Sequence, residues 1–425
     1  MAELAIEHIA RIEGHGNIAV KVEEGRVLEV RMDVVEPARF FEAMVVGRRY
    51  DDAPLITSRI CGICSPNHAL TSIKAVEAAL GVEVSERTRM LRKLLVYGSF
   101  LQNHATHLYV LAAPDFVGLD SVFPLAATHP EVVERALKIK SLGNRLTALV
   151  GGRPVHPVTA VVGGFTSEPK ALDLASIHDQ LLEVANDVLA TVDLFASFAL
   201  PDFASAGDML ALVESDDYAI YGGDIESLDR GWRRPVAEYR DVIVETSAGE
   251  GHGNAKHSRT TADGRTFMVG ALPRINLSGD RLVPNAKAAL AKLGLVLPSR
   301  NPFHMNLCQA VELVDAAEHC AGYIERVIDM GGSSKPATVE LGRECWGAGA
   351  TEAPRGTLYH SYGIDANGII TSGDVITPTA QNLANLEADM RAFAPTVADR
   401  SPKEFELLIE QLVRSYDPCL SCSVH

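Results

Sequence analysis

The stretch RICGIC at residues 59–64 is answered at the far end of the chain by DPCLSCSVH at residues 417–425. Each holds two cysteines with two residues between them, a spacing that lets both sulfurs of a pair turn toward one centre. Four thiolates delivered this way suit a soft or borderline metal. The competing reading is a structural zinc clasp joining the two ends of the chain. Three features weigh against it. Structural pairs usually lie close in sequence, whereas these bracket nearly the whole chain, a loop whose closure comes late in folding. His68 follows Cys64 by four residues, on the same face of the helix expected there, and is not needed to complete a four-cysteine shell. Arg59 and Asp417 also put charge beside both pairs.

Working outward from Cys64, the run SPNHALTSIKAVEAALG offers Ser65 as N-cap, Pro66 at the first helical position and Gly81 past the end. These signals predict a helix that begins where the first pair ends. Residues 16–35 alternate apolar and polar side chains around Glu24-Gly25, the pattern of a β-hairpin. Apolar residues recur at three- and four-residue steps over about 84–113, 129–150, 168–198, 304–330 and 402–416, which predicts long helices. Between 233 and 280 the chain turns rich in Gly, Thr and Val, and YGIDANGIITSG at 362–373 reads as a hairpin turning at Asn367-Gly368. The expected fold is α+β, mainly α: a central bundle of long helices with an N-terminal β-hairpin and peripheral β insertions. No repeat and no Pro/Gly/Ser-rich linker divides the chain, so residues 1–425 are expected to form one unit.

The chain carries 39 Lys+Arg against 55 Asp+Glu, a formal net charge of −16. Such a balance excludes a phosphate-backbone partner, which requires clustered cations. The acidic start, MAELAIEHIARIEGHG, is not a secretory signal. The most apolar window, residues 94–113, is interrupted by Asn103, His104 and His107, short of the roughly 18–20 apolar residues of a membrane span. Seven cysteines at low density point to metal or redox chemistry and a reducing compartment. GEGHG at 249–253 is glycine-rich but lacks the flanking strand and helix of a nucleotide-binding loop. Cys308, Cys320 and Cys345 lack paired spacing and read as core or interface residues.

RICGICSPNHA and DPCLSCSVH resemble the two cysteine motifs of the large, catalytic subunit of [NiFe] hydrogenases. Further segments fall in that family's order: RIEGHG at 11–16, RFFEAM at 39–44, GGRPVHP at 151–157 and EAPRGTLYH at 352–360. The resemblance therefore runs from end to end, and the chain is most similar to the shorter large subunits of soluble, multi-subunit, bidirectional enzymes.

The resemblance implies that Cys61, Cys64, Cys419 and Cys422 hold nickel, with Cys64 and Cys422 bridging to an iron that carries cyanide and carbon monoxide. It implies heterolytic cleavage of dihydrogen, with Cys419 as the first proton acceptor and Glu13 as the relay. Arg355 is expected above the open coordination position, oriented by Asp115 and Asp417, and His68 is expected to hydrogen-bond toward a bridging cysteine. Glu42 and His425 would bind magnesium and pin the C-terminal segment, and a chain ending at His425 corresponds to the processed form in that family. His104 and His107 share a helical face near Asp115 as candidates for supporting roles; the GGRPVHP loop reads as a fixed turn.

The chain has no further cysteine set for an iron–sulfur cluster and no nucleotide motif. The resemblance thus implies a partner in the form of an iron–sulfur small subunit, with further electron-transfer subunits serving NAD(P), a deazaflavin or ferredoxin. The cysteine usage and the lack of a visible secretory signal make the cytoplasm the expected location, although large subunits of that family can be exported on the small subunit's signal. The alternatives are a hydrogen sensor of the same superfamily, or a structural zinc protein serving as an assembly platform. The metal-free quinone-reducing subunit of respiratory complex I, which shares the fold, is disfavoured by the presence of all four cysteines.

Overall fold

The computed structural model describes residues 2–425. The hairpin expected near the N-terminus is present and gains a third strand: β1 (Ala2–Ile6), β2 (Gly16–Glu23) and β3 (Arg26–Val34) form an antiparallel sheet in that order. Every second residue of β2 is buried, so Ile18, Val20 and Val22 face the core, as period-two alternation requires.

The helix after the first cysteine pair, α1 (Ser65–Leu80), starts one residue earlier than the capping signals predict: Cys64 is the N-cap and Ser65 the first helical residue. The Ser65 hydroxyl is engaged elsewhere, accepting a hydrogen bond from the backbone N–H of His156 at 2.9 Å. The GGRPVHP loop is thereby tied to the entrance of α1. Gly81 closes the helix in the left-handed conformation, φ +68°.

The 84–113 pattern divides. Helix α2 runs from Glu86 to Thr106 with Ser85 as a true N-cap, then widens into a π-helical turn over His107–Ala112 before a last turn, Ala113–Phe116. Pro114 has no N–H to donate to the preceding turn, and the carbonyl of Leu111 in the same turn accepts from the Arg11 guanidinium at 2.8 Å. Helix α3 (Pro130–Gly151) packs along α2. The 168–198 pattern breaks at Val184 into α4 (Ala171–Glu183) and α5 (Ala185–Ala196). Both halves lie on α6 (His304–Met330), the long central helix. Buried apolar side chains from Ile9 to Val424 join in one cluster around these helices.

The 233–280 region holds β4 (Ile243–Ser247) and β5 (Lys256–Thr260), an antiparallel pair, but it ends in a helix, Ala271–Ser278. The hairpin at Asn367-Gly368 is the second turn of a three-stranded sheet: β6 (Cys345–Ala353), β7 (Gly356–Ile364) and β8 (Ile370–Ile376). This sheet lies against α1. A Cβ on Gly347 would come within 2.2 Å of the backbone nitrogen of Ala79, and one on Gly349 within 2.6 Å of that of Ala75, so helix and strand touch backbone to backbone. Helices α7 (Pro378–Val397) and α8 (Pro402–Ser415) follow, the latter opened by a Ser401/Glu404 capping box.

Candidate metal centre

The two cysteine pairs meet. Cys61 follows a short 3₁₀ turn, Ser58–Ile60, Cys64 caps α1, and Cys419 and Cys422 lie just beyond α8. Sγ of Cys61 is 3.7 Å from Sγ of Cys419, and Sγ of Cys64 is 3.8 Å from Sγ of Cys422. All four are buried and none forms a disulfide. The segment that assembles them is held by backbone contacts. Glu13 bridges Cys419 in parallel, with the N–H of Leu420 donating to the Glu13 carbonyl at 2.9 Å. The Arg39 guanidinium grips the carbonyls of Ile60 and Arg59 at 2.6 and 2.8 Å, while its N–H donates to Val424 at 2.9 Å. RFFEAM thus clamps both cysteine motifs at once.

Buried thiols this close share protons. Hydrogen bonds from Cys419, Cys422 and Cys64 draw the Cys61 thiol well below its ordinary pKa. Burial opposes the same change at Cys419, but a hydrogen bond from Cys422 helps to bring it down as well. Cys64, donating to Cys419, and Cys422, buried with no water to solvate a thiolate, are pushed well above the ordinary value. Four sulfurs gathered away from water form a soft, dry donor set.

Glu13 stands at one side. Its Oε2 is 2.9 Å from Sγ of Cys419, and its Oε1 accepts from the Ser421 hydroxyl at 2.5 Å. Burial, then the neighbouring Cys419, raises its pKa to about 7. Arg355, in the turn between β6 and β7, donates through Nε to the backbone carbonyl of Asp417 at 2.8 Å and to Oδ1 of its side chain at 3.1 Å. Burial opposes its charge, but Asp417 and the sulfurs of Cys419 and Cys61 hold it firmly protonated. Asp417 itself sits at φ +48° and takes further hydrogen bonds on Oδ2 from Asn103 at 2.8 Å and Gln309 at 3.1 Å.

Two expected placements differ. Asp115 does not reach Arg355: its two carboxylate oxygens accept from Nη1 of Arg414, at 2.9 and 2.8 Å, and one of them also from Arg11. Those two arginines take Asp115, and Asp417 is the aspartate that orients Arg355. His68 makes no hydrogen bond to a cysteine sulfur; its Nδ1 pairs with Nε2 of His360 at 3.2 Å, and Nε2 is buried without a partner. Burial drives its pKa down to about 3, so the imidazole is neutral. His104 reaches Glu312 at 2.9 Å, and His107 lies between Gln309 at 2.6 Å and the Arg414 carbonyl at 2.8 Å. Cys308 and Cys320 are buried in the core, and Cys345 is half-buried at the start of β6.

The structure adds residues that sequence patterning missed. Asn103 and Gln309 hold Asp417, His360 holds His68, and Thr379 fixes the backbone of Cys419 through a 2.9 Å hydrogen bond to its N–H. Beneath them Arg274 binds both oxygens of Glu312, at 2.6 and 2.8 Å, and Glu352 at 3.0 Å, with all three side chains buried. For Asn103, Arg274, Gln309 and Glu312 the signal was a polar residue inside an apolar helical stripe, whereas Glu352 and His360 lie on strands at the two ends of EAPRGTLYH.

The donor set fits a nickel–iron centre: four soft sulfurs face one another in a dry pocket, and two buried donors beside them, Arg355 Nη1 and His68 Nε2, lack any protein partner. A hard divalent cation at Glu42 and His425 fits poorly. Among the described residues, the one group of three potential ligands whose atoms all lie within 4.8 Å of each other is Cys61, Cys64 and Cys422. Glu42 and His425 surround the Lys256 ammonium instead, 3.9 and 3.0 Å away.

The comparisons with known proteins agree with this geometry. The family described as nickel-dependent hydrogenase matches residues 39–131 and 307–425, and a second, described as HoxL-like, matches residues 3–36. The alpha chain of sulfhydrogenase 1 from Pyrococcus furiosus is 36% identical over 99% of this chain and 97% of its own. That of sulfhydrogenase 2 from the same organism is 34% identical over 99% of this chain and 98% of its own. Among solved structures, an NAD⁺-reducing [NiFe]-hydrogenase in the H₂-reduced state superposes with a TM-score of 0.88 at 26% identity, each chain fully covered. A [NiFeSe] hydrogenase from Desulfovibrio vulgaris Hildenborough shares the fold, TM-score 0.79 at 23% identity, again with both chains fully covered. The chain belongs to the nickel-dependent hydrogenase family, in which it is a large subunit.

Proposed function

We propose that the chain is the catalytic subunit of a [NiFe] hydrogenase that splits and forms dihydrogen reversibly, with Cys61, Cys64, Cys419 and Cys422 as the metal ligands. The observation that carries this reading is the meeting of four buried sulfurs from opposite ends of the chain, Cys61 and Cys419 being 358 residues apart. Cys64 and Cys422 would help to hold the iron, which would carry cyanide and carbon monoxide. Bound there, the centre would supply the Lewis-acid and redox chemistry that heterolytic cleavage of dihydrogen requires.

The chain's own residues manage charge and protons. Cys419 Sγ receives the proton and passes it over 2.9 Å to Oε2 of Glu13. A carboxyl with a pKa of about 7 gives and takes protons in both directions near neutral pH. Ser421 holds the other oxygen and fixes the carboxyl plane. Arg355 presents its free Nη1 as a fixed positive charge in a water-poor pocket, and Asp417 prevents it from swinging away. The neutral His68 offers Nε2 to the same pocket while His360 holds the ring.

Electrons require a partner, because the three cysteines outside the pairs do not cluster. An iron–sulfur small subunit is the partner proposed, with further subunits delivering electrons to NAD(P), a deazaflavin or ferredoxin; the likeness to an NAD⁺-reducing enzyme supports that assembly. No helix among the described residues is long and apolar enough to cross a membrane, and a cytoplasmic location is proposed. Metal analysis with infrared spectroscopy tests the reading. One nickel and one iron per chain, with absorption bands of metal-bound carbon monoxide and cyanide, is the expected result. Zinc alone and no bands, in protein made alongside its maturation machinery, would overturn it.

A further inference from the structure

The site that resemblance assigns to magnesium is already occupied by a charge belonging to the protein. Glu42 lies on the short helix Phe41–Val45, and His425 is fully buried beside it. A second acidic group, Glu245, comes from β4. Lys256 comes from β5, where it pairs with Ser247, so that Glu245 is its diagonal neighbour on the same face of the hairpin. Its Nζ lies 3.0 Å from His425 Nε2, 3.1 Å from Glu245 Oε2 and 3.9 Å from Glu42 Oε2.

Hydrogen-bond roles around His425 agree with an ammonium at the centre. His425 Nδ1 is 3.1 Å from the carbonyl oxygen of Cys422, which can only accept, so Nδ1 carries the proton and Nε2 is left with its lone pair. That lone pair faces Lys256, a group that only donates. Glu42 is committed as well, its Oε1 accepting from the N–H of Val375 at 2.9 Å.

The same atoms serve a divalent cation badly. Magnesium demands near-octahedral oxygen ligands at about 2.0–2.1 Å. The 3.7 Å spacings from His425 Nε2 to Glu42 Oε1 and Glu245 Oε2 could span an ion, but the space they frame is taken by the Lys256 ammonium, 3.0 Å from His425 and 3.1 Å from Glu245. A divalent ion held by these groups would sit against a fixed positive charge at close range, where repulsion is strong because the surroundings are largely buried.

We propose that the Lys256 ammonium is the resident cation of this site, a tethered monovalent replacement for a divalent metal ion, and that it binds the 417–425 segment to the β4–β5 hairpin and to Glu42 without magnesium. Docking of the cysteine-bearing segment then depends on a strand pair of the same chain and not on the cation concentration of the solution.

The test begins with the wild-type holoprotein, desalted and assayed for magnesium, calcium, manganese and zinc, and melted with and without EDTA. No stoichiometric divalent ion beyond nickel and iron, and an unchanged melting temperature, are expected. A stoichiometric magnesium ion whose removal lowers the melting temperature would overturn the proposal. The second arm is Lys256→Ala, which empties the centre of the cluster. Its melting temperature should fall and be restored by millimolar Mn²⁺, with one Mn²⁺ per chain visible by electron paramagnetic resonance and lost in Lys256→Ala/Glu245→Ala. A Lys256→Ala protein that melts like wild type and takes up no Mn²⁺ would also overturn it. If that variant does not fold, the wild-type metal content and chelation result decide alone.

Discussion

Arg355 and Asp417 meet twice through one nitrogen: Nε of the guanidinium donates to the aspartate's backbone carbonyl at 2.8 Å and to its carboxylate at 3.1 Å. The planar fork is thereby held by its inner edge, and Nη1 is left facing the sulfurs' pocket without a protein partner. A lysine would keep the charge but could not be gripped by one edge while presenting another. Arg355→Lys is expected to retain nickel and iron in wild-type amounts and to lower hydrogen–deuterium exchange activity by about 10²–10³-fold, the usual cost of losing one preorganised electrostatic group. Metal analysis of the same sample used for the exchange assay checks both halves.

Glu13→Gln removes the transferable proton from the 2.9 Å contact with Cys419 while an amide can still meet Ser421. Metal content and infrared bands should be unchanged and hydrogen turnover should fall by about 10²–10⁴-fold. Glu13→Asp, which keeps the carboxyl but shortens its reach, should fall between the two. Equal turnover in Glu13→Gln and wild type would remove Glu13 from the proton route.

Beneath the centre, Arg274 is the shared partner of Glu312 and Glu352, with every charge buried. Removing one member strands the others, so Arg274→Met is expected to cost about 3–5 kcal/mol of stability, measured by denaturant unfolding. Glu312 adds a pH signature. Burial raises its pKa, but the Arg274 charge outweighs burial and brings it down to about 2. A depressed carboxyl stabilises fully above its ordinary value of 4.5 and loses that contribution as pH falls toward 2. Glu312→Gln should therefore melt lower than wild type at neutral pH and show a flatter pH dependence between about 4.5 and 2, measured by calorimetry.

His319 shows the opposite sign. It packs against Tyr97 and Tyr323, with ring centroids 5.2 and 5.6 Å away, and contacts Asp315 and Asp217 at 3.0 and 3.3 Å. Burial lowers its pKa, but the Asp315 charge and the hydrogen bonds to both aspartates carry it up to about 10. Stability from this imidazolium is complete below pH 6.5 and lost as pH rises through 10. The melting temperature of wild type should decline over that window, and His319→Gln should decline less. Identical slopes for the two proteins would show that His319 is not charged in the folded state.

The metal-binding pairs, the helix after Cys64 and the Asn367-Gly368 hairpin were legible because each carries a local signal: fixed spacing, terminal residues, a turn dipeptide. The hydrophobic period likewise located the long helices, though not their breaks at Val184 and at the π-turn, since period alone does not report where a helix bends or a carbonyl is claimed by a distant arginine such as Arg11. Asp115 illustrates the remaining gap. Nothing local says which of several arginines a carboxylate will face, and Arg414 and Arg11 reach it from elements far apart in sequence. Asn103, Gln309 and Lys256 escaped for the same reason, their partners being chosen by tertiary packing.

The backbone contact of Gly347 and Gly349 with α1 makes the sheet a ruler for the centre. Cys64 caps one end of α1, and Arg355 occupies the turn at the end of β6. Their separation is set by main chain against main chain, with no intervening side chain to change rotamer. Such a joint cannot soften gradually on warming; it holds or it parts. Catalytic geometry should accordingly persist up to the global transition and vanish with it, so that the thermal loss of activity and the calorimetric melt trace a single curve.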